Sequence, residues 1–196
     1  MTKKEQRLEI LERRDALSAE ERETRSRAIR EHLFSLRQWP GRGPVLFFHT
    51  MKTEVNTIPM MEEAISQEIP VALPRMAGPG RLTLHAVENL HNSLEPNDLG
   101  IMEPVETCSS VEATDLGIII VPGVAFGPLG YRIGYGGGFY DRLLVSAPRA
   151  LRVGVAFDLQ RVESLLRKSH DVPVDILITE SGPLTFHRRL VAVDFP

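Results

Sequence analysis

One unbroken apolar run, residues 116–121 (LGIIIV), most constrains how this chain can fold. Short β-branched runs of this kind form strands that are buried on both faces of a parallel sheet. Pro122 and Gly123 follow directly and end the strand, because proline lacks the N–H that a sheet ladder needs. The run therefore predicts a central strand of a parallel sheet.

Further strands and helices alternate along the chain. We predict strands at residues 44–49, 69–73, 82–86, 151–157 and 176–179, and helices at residues 2–16, 18–38, 56–67, from 139 onward and 160–168. Ser18 to Glu21 has the capping-box pattern that starts a helix, and Pro74 is expected to break the second strand. Residues 88–114 are expected to be irregular, with one helical turn. This alternation predicts an α/β sandwich with a largely parallel sheet.

The densest motif is residues 134–138 (GYGGG), which lie directly before a predicted helix. The first N–H groups of a helix lack intrahelical partners and favour anions, and glycine lets that backbone approach a phosphate closely. Arg132 offers a forked donor to phosphate oxygens, and Asp141 offers an oxygen ligand for magnesium. The same residues also fit a glycine-rich turn stabilised by an Arg–Asp pair. The glycines alone do not decide between these two interpretations.

Other well-known sites are poorly supported. No Gly-Lys-Ser/Thr completes a Walker A loop, and the glycines do not fit a dinucleotide loop with an acidic residue about twenty positions on. The sequence has no G-x-S-x-G elbow of a serine hydrolase, and its histidines lack metal-ligand spacing.

Composition sets the outer limits. The 196 residues, 42% of them apolar, are expected to form one domain covering residues 1–196. The net charge is −3 with no block of like charges, so neither nucleic acid nor a membrane surface is an expected partner. A single cysteine, no apolar stretch near the roughly 18 residues of a membrane span and an N-terminal segment that carries Glu5, Glu9 and Glu12 indicate a cytoplasmic protein.

Lys3 and Arg7 leave two alternatives open. On the first predicted helix they are either a solvated face or a grip on phosphate from positions i and i+4. Their charge alone favours the solvated face. Residues 49–54 follow the carboxyl end of a predicted strand, which is where open α/β sheets bind their ligands.

The stretch at residues 121–142 (VPGVAFGPLGYRIGYGGGFYDR) resembles the signature of 5-formyltetrahydrofolate cyclo-ligases, also called 5,10-methenyltetrahydrofolate synthetases. The resemblance covers nearly the whole chain. Lys3 and Arg7 stand at the family's spacing ahead of residues 18–22, and Met51 and Glu54 match its loop after the first strand.

The resemblance implies a three-layer α/β fold similar to the sugar-phosphate isomerase and CoA-transferase group. It also implies an ATP- and magnesium-dependent enzyme that converts 5-formyltetrahydrofolate to 5,10-methenyltetrahydrofolate, and we expect a monomer. The implied catalytic residues are Arg132 and Asp141, with magnesium held by Asp141 and Asp175. The residues implied to bind ATP are Lys3, Arg7, Arg132, Gly134, Tyr135, Gly136, Gly137, Gly138, Phe139 and Tyr140. Those implied to bind the folate are Met51, Glu54, Tyr135, Gly136, Gly137, Gly138 and Phe139.

Two alternatives to this enzyme are considered. One is a non-catalytic nucleotide- or folate-binding relative of the same fold, and the other is a dehydrogenase that uses the glycines for a dinucleotide. A degenerate relative is expected to have lost part of the phosphate and magnesium set, whereas Lys3, Arg7, Arg132, Asp141 and Asp175 are all present. Some relatives carry a cation where this chain has Tyr135 and Gly137, so one cationic contact is expected to be absent here.

Overall fold

A computed structural model describes residues 2–186. Its helices are α1 (Lys3–Asp15), α2 (Ala19–Phe34), α3 (Ile58–Ser66) and α4 (Phe139–Ser146). Its strands are β1 (Val45–Leu46), β2 (Val71–Met76), β3 (Leu82–Ala86), β4 (Leu94–Pro96), β5 (Met102–Pro104), β6 (Ile118–Val121), β7 (Ala125–Phe126), β8 (Arg132–Ile133), β9 (Leu151–Val155), β10 (Ile176–Thr179) and β11 (Gly182–Thr185).

Seven strands form one sheet in the order β11-β10-β9-β6-β1-β2-β3. The five inner strands pair in parallel, and β3 and β11 close the two edges as antiparallel strands. The remaining strands form two separate hairpins, β4–β5 and β7–β8. The predicted largely parallel sheet is confirmed.

The sheet is covered on both faces. In β6, Ile118 and Ile120 pack into a cluster with α2 and α3, whereas Ile119 and Val121 pack into a cluster with α4. Successive side chains of a strand point to opposite faces, so an all-apolar strand serves both clusters at once. The layers are therefore helix, sheet and helix, as the three-layer prediction required.

Two capping boxes start the N-terminal helices. Thr2 and Glu5 exchange side-chain and backbone hydrogen bonds at the start of α1, and Ser18 and Glu21 do the same for α2. The capping-box prediction at residue 18 is confirmed, although α2 ends at Phe34 rather than near residue 38. Pro59 lies in the first turn of α3, as predicted. None of the helices among residues 2–186 is long and apolar enough to span a membrane.

The helix predicted at residues 160–168 is wrong. A short 3₁₀ turn at Asp158–Gln160 is followed by irregular chain instead. The backbone N–H of Val162 donates to Phe126 O, and the side chains of Val162 and Leu165 pack beside Ile10 of α1. Contacts with α1 and the β7–β8 hairpin therefore replace the helical hydrogen bonds of this segment.

Two smaller predictions also change. Pro74 does not end β2, which continues to Met76; β1 pairs with β2 only as far as Ala72, so the missing N–H of Pro74 lies beyond that pairing. Residues 88–114 contain the β4–β5 hairpin besides a 3₁₀ turn at Ala113–Asp115. Residues 121–142 also contain the β7–β8 hairpin, which was not predicted and which places Arg132 on a strand.

Candidate active site

The glycine loop, residues 134–138, connects β8 to α4. Gly136 and Gly138 have φ values of +109° and +65°, in the left-handed region that favours glycine. Gly138 is also the N-cap residue of α4, and no side chain caps the helix there. The first N–H groups of α4 are therefore without side-chain acceptors, which suits an anion.

Arg132 and Asp141 meet at the extended segment that follows residue 168. Arg132 Nη1 donates to Val172 O at 2.7 Å, and Arg132 Nη2 lies 3.3 Å from Asp141 Oδ1. The same Oδ1 accepts from Val172 N at 3.0 Å. Burial lowers the pKa of Arg132, and the charge of Asp141 opposes that shift. The predicted Arg–Asp pair therefore exists, and it joins β8 to the first turn of α4.

Helix α1 places Arg7 against the glycine loop and Lys3 against Asp171. Arg7 Nε donates to Gly134 O at 2.8 Å, and a Cβ on Gly136 would lie 3.7 Å from Arg7 Nη2. Lys3 Nζ lies 2.5 Å from Asp171 Oδ2. Although partial burial alone would raise it, the bonds from Lys3 and from the N–H of Lys168 lower the pKa of Asp171. The solvated-face interpretation of Lys3 and Arg7 is therefore wrong.

Arg142 is a further cation that the sequence reading missed. Its Nη2 donates to Gly137 O at 2.5 Å and its Nε to Gly80 O at 2.7 Å, and its guanidinium lies 6.0 Å from the Phe139 ring centroid. Arg142 thus ties the glycine loop to the turn between β2 and β3. Because it is bonded to two carbonyl groups, its first role is to hold the loop.

Glu54 lies buried in the loop that follows β1. Its Oε2 accepts from Met51 N at 3.0 Å, and its Oε1 accepts from the Tyr135 hydroxyl at 2.7 Å. Burial raises the pKa of the Glu54 carboxyl, and these two hydrogen bonds oppose the shift. Burial and the Glu54 charge raise the pKa of Tyr135 to about 12, so its hydroxyl is a donor at neutral pH. Met51, Glu54 and Tyr135 are thus together, as predicted.

Tyr140 carries a buried polar group in the first turn of α4. Its hydroxyl oxygen is buried and has no hydrogen-bond partner within residues 2–186. Burial raises the pKa of this hydroxyl, and the charges of Glu54 and Arg132 are close enough to affect it. Buried polar groups normally have a partner, so this hydroxyl is a candidate donor to a ligand between the loop after β1 and Arg132.

Asp175, the second predicted magnesium ligand, contacts β9. Its Oδ2 accepts from Arg152 N at the amino end of β9, and Arg152 Nη2 donates to Leu144 O in the last turn of α4. Asp141, by contrast, lies in the first turn of the same helix. The described side-chain contact of Asp175 is therefore with β9, whereas those of Asp141 are with Arg132 and Val172.

The donor set nevertheless fits a magnesium ion held mainly by phosphate. Among residues 2–186, no group of three or more His, Cys, Asp or Glu side chains could hold a metal. Asp141 Oδ2, however, makes no hydrogen bond in the described part of the chain, and its side chain is 24% exposed. Magnesium is commonly bound by one or two carboxylates together with substrate phosphates and water. Asp141 and a phosphate on the glycine loop would meet that requirement.

Comparison with known proteins decides the family. The family model described as the 5-formyltetrahydrofolate cyclo-ligase family matches residues 1–180. The chain belongs to this family. Cyclo-ligases of two bacteria are similar along most of their length: that of Haemophilus influenzae is 30% identical over 177 residues (88% of this chain, 95% of the relative), and that of Escherichia coli K12 is 32% identical over 187 residues (88% and 97%).

A solved structure supports the same assignment. The NMR structure of Aquifex aeolicus 5,10-methenyltetrahydrofolate synthetase superposes with a TM-score of 0.85 at 38% identity, covering 96% of this chain and 94% of that one. The resemblance noted in the sequence is therefore confirmed, and so is the fold of this cyclo-ligase family member.

Like Arg142, Arg14 was not identified as a site residue of this cyclo-ligase family member from the sequence. Arg14 is fully buried in α1 and donates to both Tyr135 and Thr53. A signal was present, because Arg14 follows Arg7 by seven residues and therefore lies on the same face of a helix. The glycines carry no such signal, because the residues that contact their loop come from distant parts of the sequence.

Proposed function

We propose that the chain catalyses the ATP-dependent conversion of 5-formyltetrahydrofolate to 5,10-methenyltetrahydrofolate, with release of ADP and phosphate. Family membership supports the reaction. The observation that carries the proposal for this chain is the convergence of Arg7, Arg132 and the uncapped start of α4 on one glycine loop. This arrangement is suited to a polyphosphate.

The phosphate side of the site is assigned to the glycine loop and the cations around it. Backbone N–H groups at residues 134–140 would hold the phosphoryl group that is transferred. Arg132 is oriented by Val172 O and Asp141, so its guanidinium is fixed before the substrate arrives. Lys3 and Arg7 would hold the remaining phosphates from α1. Charge-assisted contacts of this kind are about twice as strong as neutral hydrogen bonds.

Magnesium, when bound, would neutralise phosphate charge and hold the phosphate oxygens in line for transfer. We assign Asp141 Oδ2 as its protein ligand, because that oxygen is free of hydrogen bonds in the described residues and lies in the first turn of α4. A ligand role for Asp175 remains a prediction of the sequence. Its carboxylate accepts a hydrogen bond from Arg152 N in β9.

The folate side is assigned to the loop after β1. Glu54 presents a buried carboxylate whose position is fixed by Met51 N and the Tyr135 hydroxyl. Such a group accepts hydrogen bonds from the ring N–H groups of a folate. Met51, Phe139 and the ring of Tyr135 would lie along the substrate, with Tyr140 supplying its free hydroxyl.

The chemistry follows from the substrate. A formamide oxygen is a poor leaving group, so the formyl oxygen first attacks the γ-phosphorus of ATP and the bond to ADP breaks. Nitrogen 10 then attacks the formyl carbon and loses its proton. The carbon–oxygen bond breaks, phosphate leaves with the electron pair, and the ring closes as a methenyl bridge. The residues named here contribute mainly positioning and charge neutralisation. We also propose that the protein acts as a monomer.

The test is an absorbance assay for 5,10-methenyltetrahydrofolate. Purified protein is mixed with 5-formyltetrahydrofolate, with and without ATP and with and without magnesium. Product should form only when both are present, with one ADP released per product. Tight binding of substrate without turnover would favour the non-catalytic relative instead, and binding of NAD with no magnesium requirement would favour a dehydrogenase.

A further inference from the structure

Arg14, near the end of α1, is among the largest fully buried side chains of the protein, with 1% of its surface exposed. A buried guanidinium is costly unless it is bonded, so its surroundings are informative. Arg14 lies seven residues after Arg7, on the same face of the helix. Arg7 bonds to Gly134 and Arg14 bonds to Tyr135, so one helix face contacts two consecutive residues of the glycine loop.

Arg14 connects the two loops of the site. Its Nη2 donates to the Tyr135 hydroxyl at 3.0 Å, and its Nε donates to Thr53 Oγ1 at 3.1 Å. The Tyr135 hydroxyl in turn donates a hydrogen bond to Glu54 Oε1 at 2.7 Å. A chain of hydrogen bonds therefore runs from Arg14 through Tyr135 to Glu54. The same guanidinium also bonds to Thr53, which is the residue next to Glu54.

The location of Arg14 agrees with a role in substrate binding. Together with Glu54, Phe48 and Gly123 it lines a crevice at the carboxyl ends of β1 and β6. In the sheet β1 lies between β2 and β6, so the strand order changes direction there. Open α/β sheets bind their ligands at such switch points. Arg14 Nη1 is also buried without a hydrogen-bond partner within residues 2–186.

We propose that Arg14 is a positioning residue for the folate substrate, which fixes the Tyr135 hydroxyl and the Glu54 carboxylate so that both face the substrate ring. The proposal rests on the proposed function. Tyr135 stands between two glycines, whose backbone is easily rearranged, and its exposed ring is anchored at the hydroxyl by Arg14 and Glu54. Without Arg14 that anchor loses its cationic half.

Charge gives independent support. Burial raises the pKa of the Glu54 carboxyl, and the positive charge of Arg14 is one of the influences that oppose the rise. An ionised carboxylate in a buried site needs a nearby cation or several donors to remain charged. Arg14 thus helps to keep Glu54 in the form that accepts hydrogen bonds from a folate ring.

The experiment compares Arg14→Met, Arg14→Lys and Tyr135→Phe with wild type, and uses Arg13→Met as a matched control. Arg13 is the neighbouring arginine of α1 but is exposed, so its loss should change nothing. Losing a charged hydrogen bond is expected to raise the KM for 5-formyltetrahydrofolate in Arg14→Met about tenfold to a hundredfold. The KM for ATP should change less, and Arg14→Lys should restore part of the folate affinity.

A double-mutant cycle separates positioning from general destabilisation. If Arg14 acts through Tyr135, adding Tyr135→Phe to Arg14→Met should raise the folate KM little further, because the link is already broken. Additive effects would overturn the proposal, as would an unchanged folate KM in Arg14→Met or a larger change in the KM for ATP. Urea unfolding is measured for each variant, and if Arg14→Met does not fold, the cycle is run with Arg14→Lys.

The wild-type protein separates this proposal from the proposed function. An inactive wild type with formyl-folate, ATP and magnesium would refute the cyclo-ligase function, and the role of Arg14 would fail with it. An active wild type whose folate KM is insensitive to Arg14→Met and Arg14→Lys would refute only the role of Arg14.

Discussion

Replacing Asp141 by asparagine tests the metal assignment and the ion pair together. Asparagine has nearly the same shape, and its oxygen can still accept from Val172 N, which lies 3.0 Å from Asp141 Oδ1. What it removes is the negative charge 3.3 Å from Arg132 Nη2, whose side chain is only 4% exposed. The substitution therefore leaves a buried cation without its carboxylate partner.

The expected cost in stability follows from that geometry. A hydrogen bond to a charged group contributes about 1.5–3 kcal/mol, and the 24% exposure of the Asp141 side chain keeps the cost below the value for a fully buried pair. For a domain of this size, that loss lowers Tm by about 3–12 °C. The same variant should lose more than about a hundredfold in kcat/KM, because an amide is a poor magnesium ligand.

The assays are urea unfolding without ligand and the absorbance assay over a range of magnesium concentrations. Asp98→Asn is the control, because Asp98 is an exposed carboxylate in the turn between β4 and β5. A fully active Asp141→Asn enzyme with the wild-type magnesium requirement would refute the metal assignment. An inactive variant with wild-type stability would refute the reasoning about Arg132 and leave the metal assignment standing.

Three further predictions concern the loops and α1. The double variant Lys3→Ala/Arg7→Ala should lower kcat/KM for ATP by about two to four orders of magnitude, because two charged contacts of about 1.5–3 kcal/mol each are lost. The change for the folate should be smaller. Unchanged ATP kinetics would contradict the role of Lys3 and Arg7 in binding phosphate. Burial raises the pKa of Glu54 above the ordinary value of 4.5, so as pH falls the carboxylate is protonated, and the KM for the folate should rise, before pH 4.5 is reached. Glu54→Gln should abolish this pH dependence of KM. Gly136→Ala should reduce the free energy of unfolding by about 1–3 kcal/mol through its φ of +109°, whereas Gly134→Ala, which has open space for a Cβ and no positive φ, should not.

Much of the architecture could be predicted from the sequence because its signals are local. The apolar run at residues 116–121 predicted a strand buried on both faces, and Ile118–Val121 is buried throughout. Capping residues stand within three positions of the groups that they bond, so Ser18 and Glu21 could be recognised in the sequence. The motif drew attention to the glycine loop, Arg132 and Asp141, and the family resemblance to Glu54; in the structure Arg132 contacts Asp141, and Tyr135 of the loop contacts Glu54.

Tertiary contacts decided the rest. Residues 160–168 carry a helical pattern, yet Val162 bonds to Phe126 and packs with Leu165 near α1, so long-range contacts override local preference. Charge alone favoured a solvated Lys3, but Asp171, 168 positions away, holds its ammonium group. No local sequence pattern indicates which residue of a distant loop will contact Lys3.

Arg14 shows what the folded chain adds, because its spacing from Arg7 places it on the same helix face but does not indicate that it is buried. Its sequence context, two adjacent arginines in the last turn of a helix, is typical of a solvated C-terminus. Arg13 takes that role and is exposed, whereas Arg14 is buried and bonds to Tyr135, 121 positions further along the chain. The difference arises because only one of two neighbouring helix positions faces the glycine loop, and that orientation is set by the packing of α1 against β7 and β8.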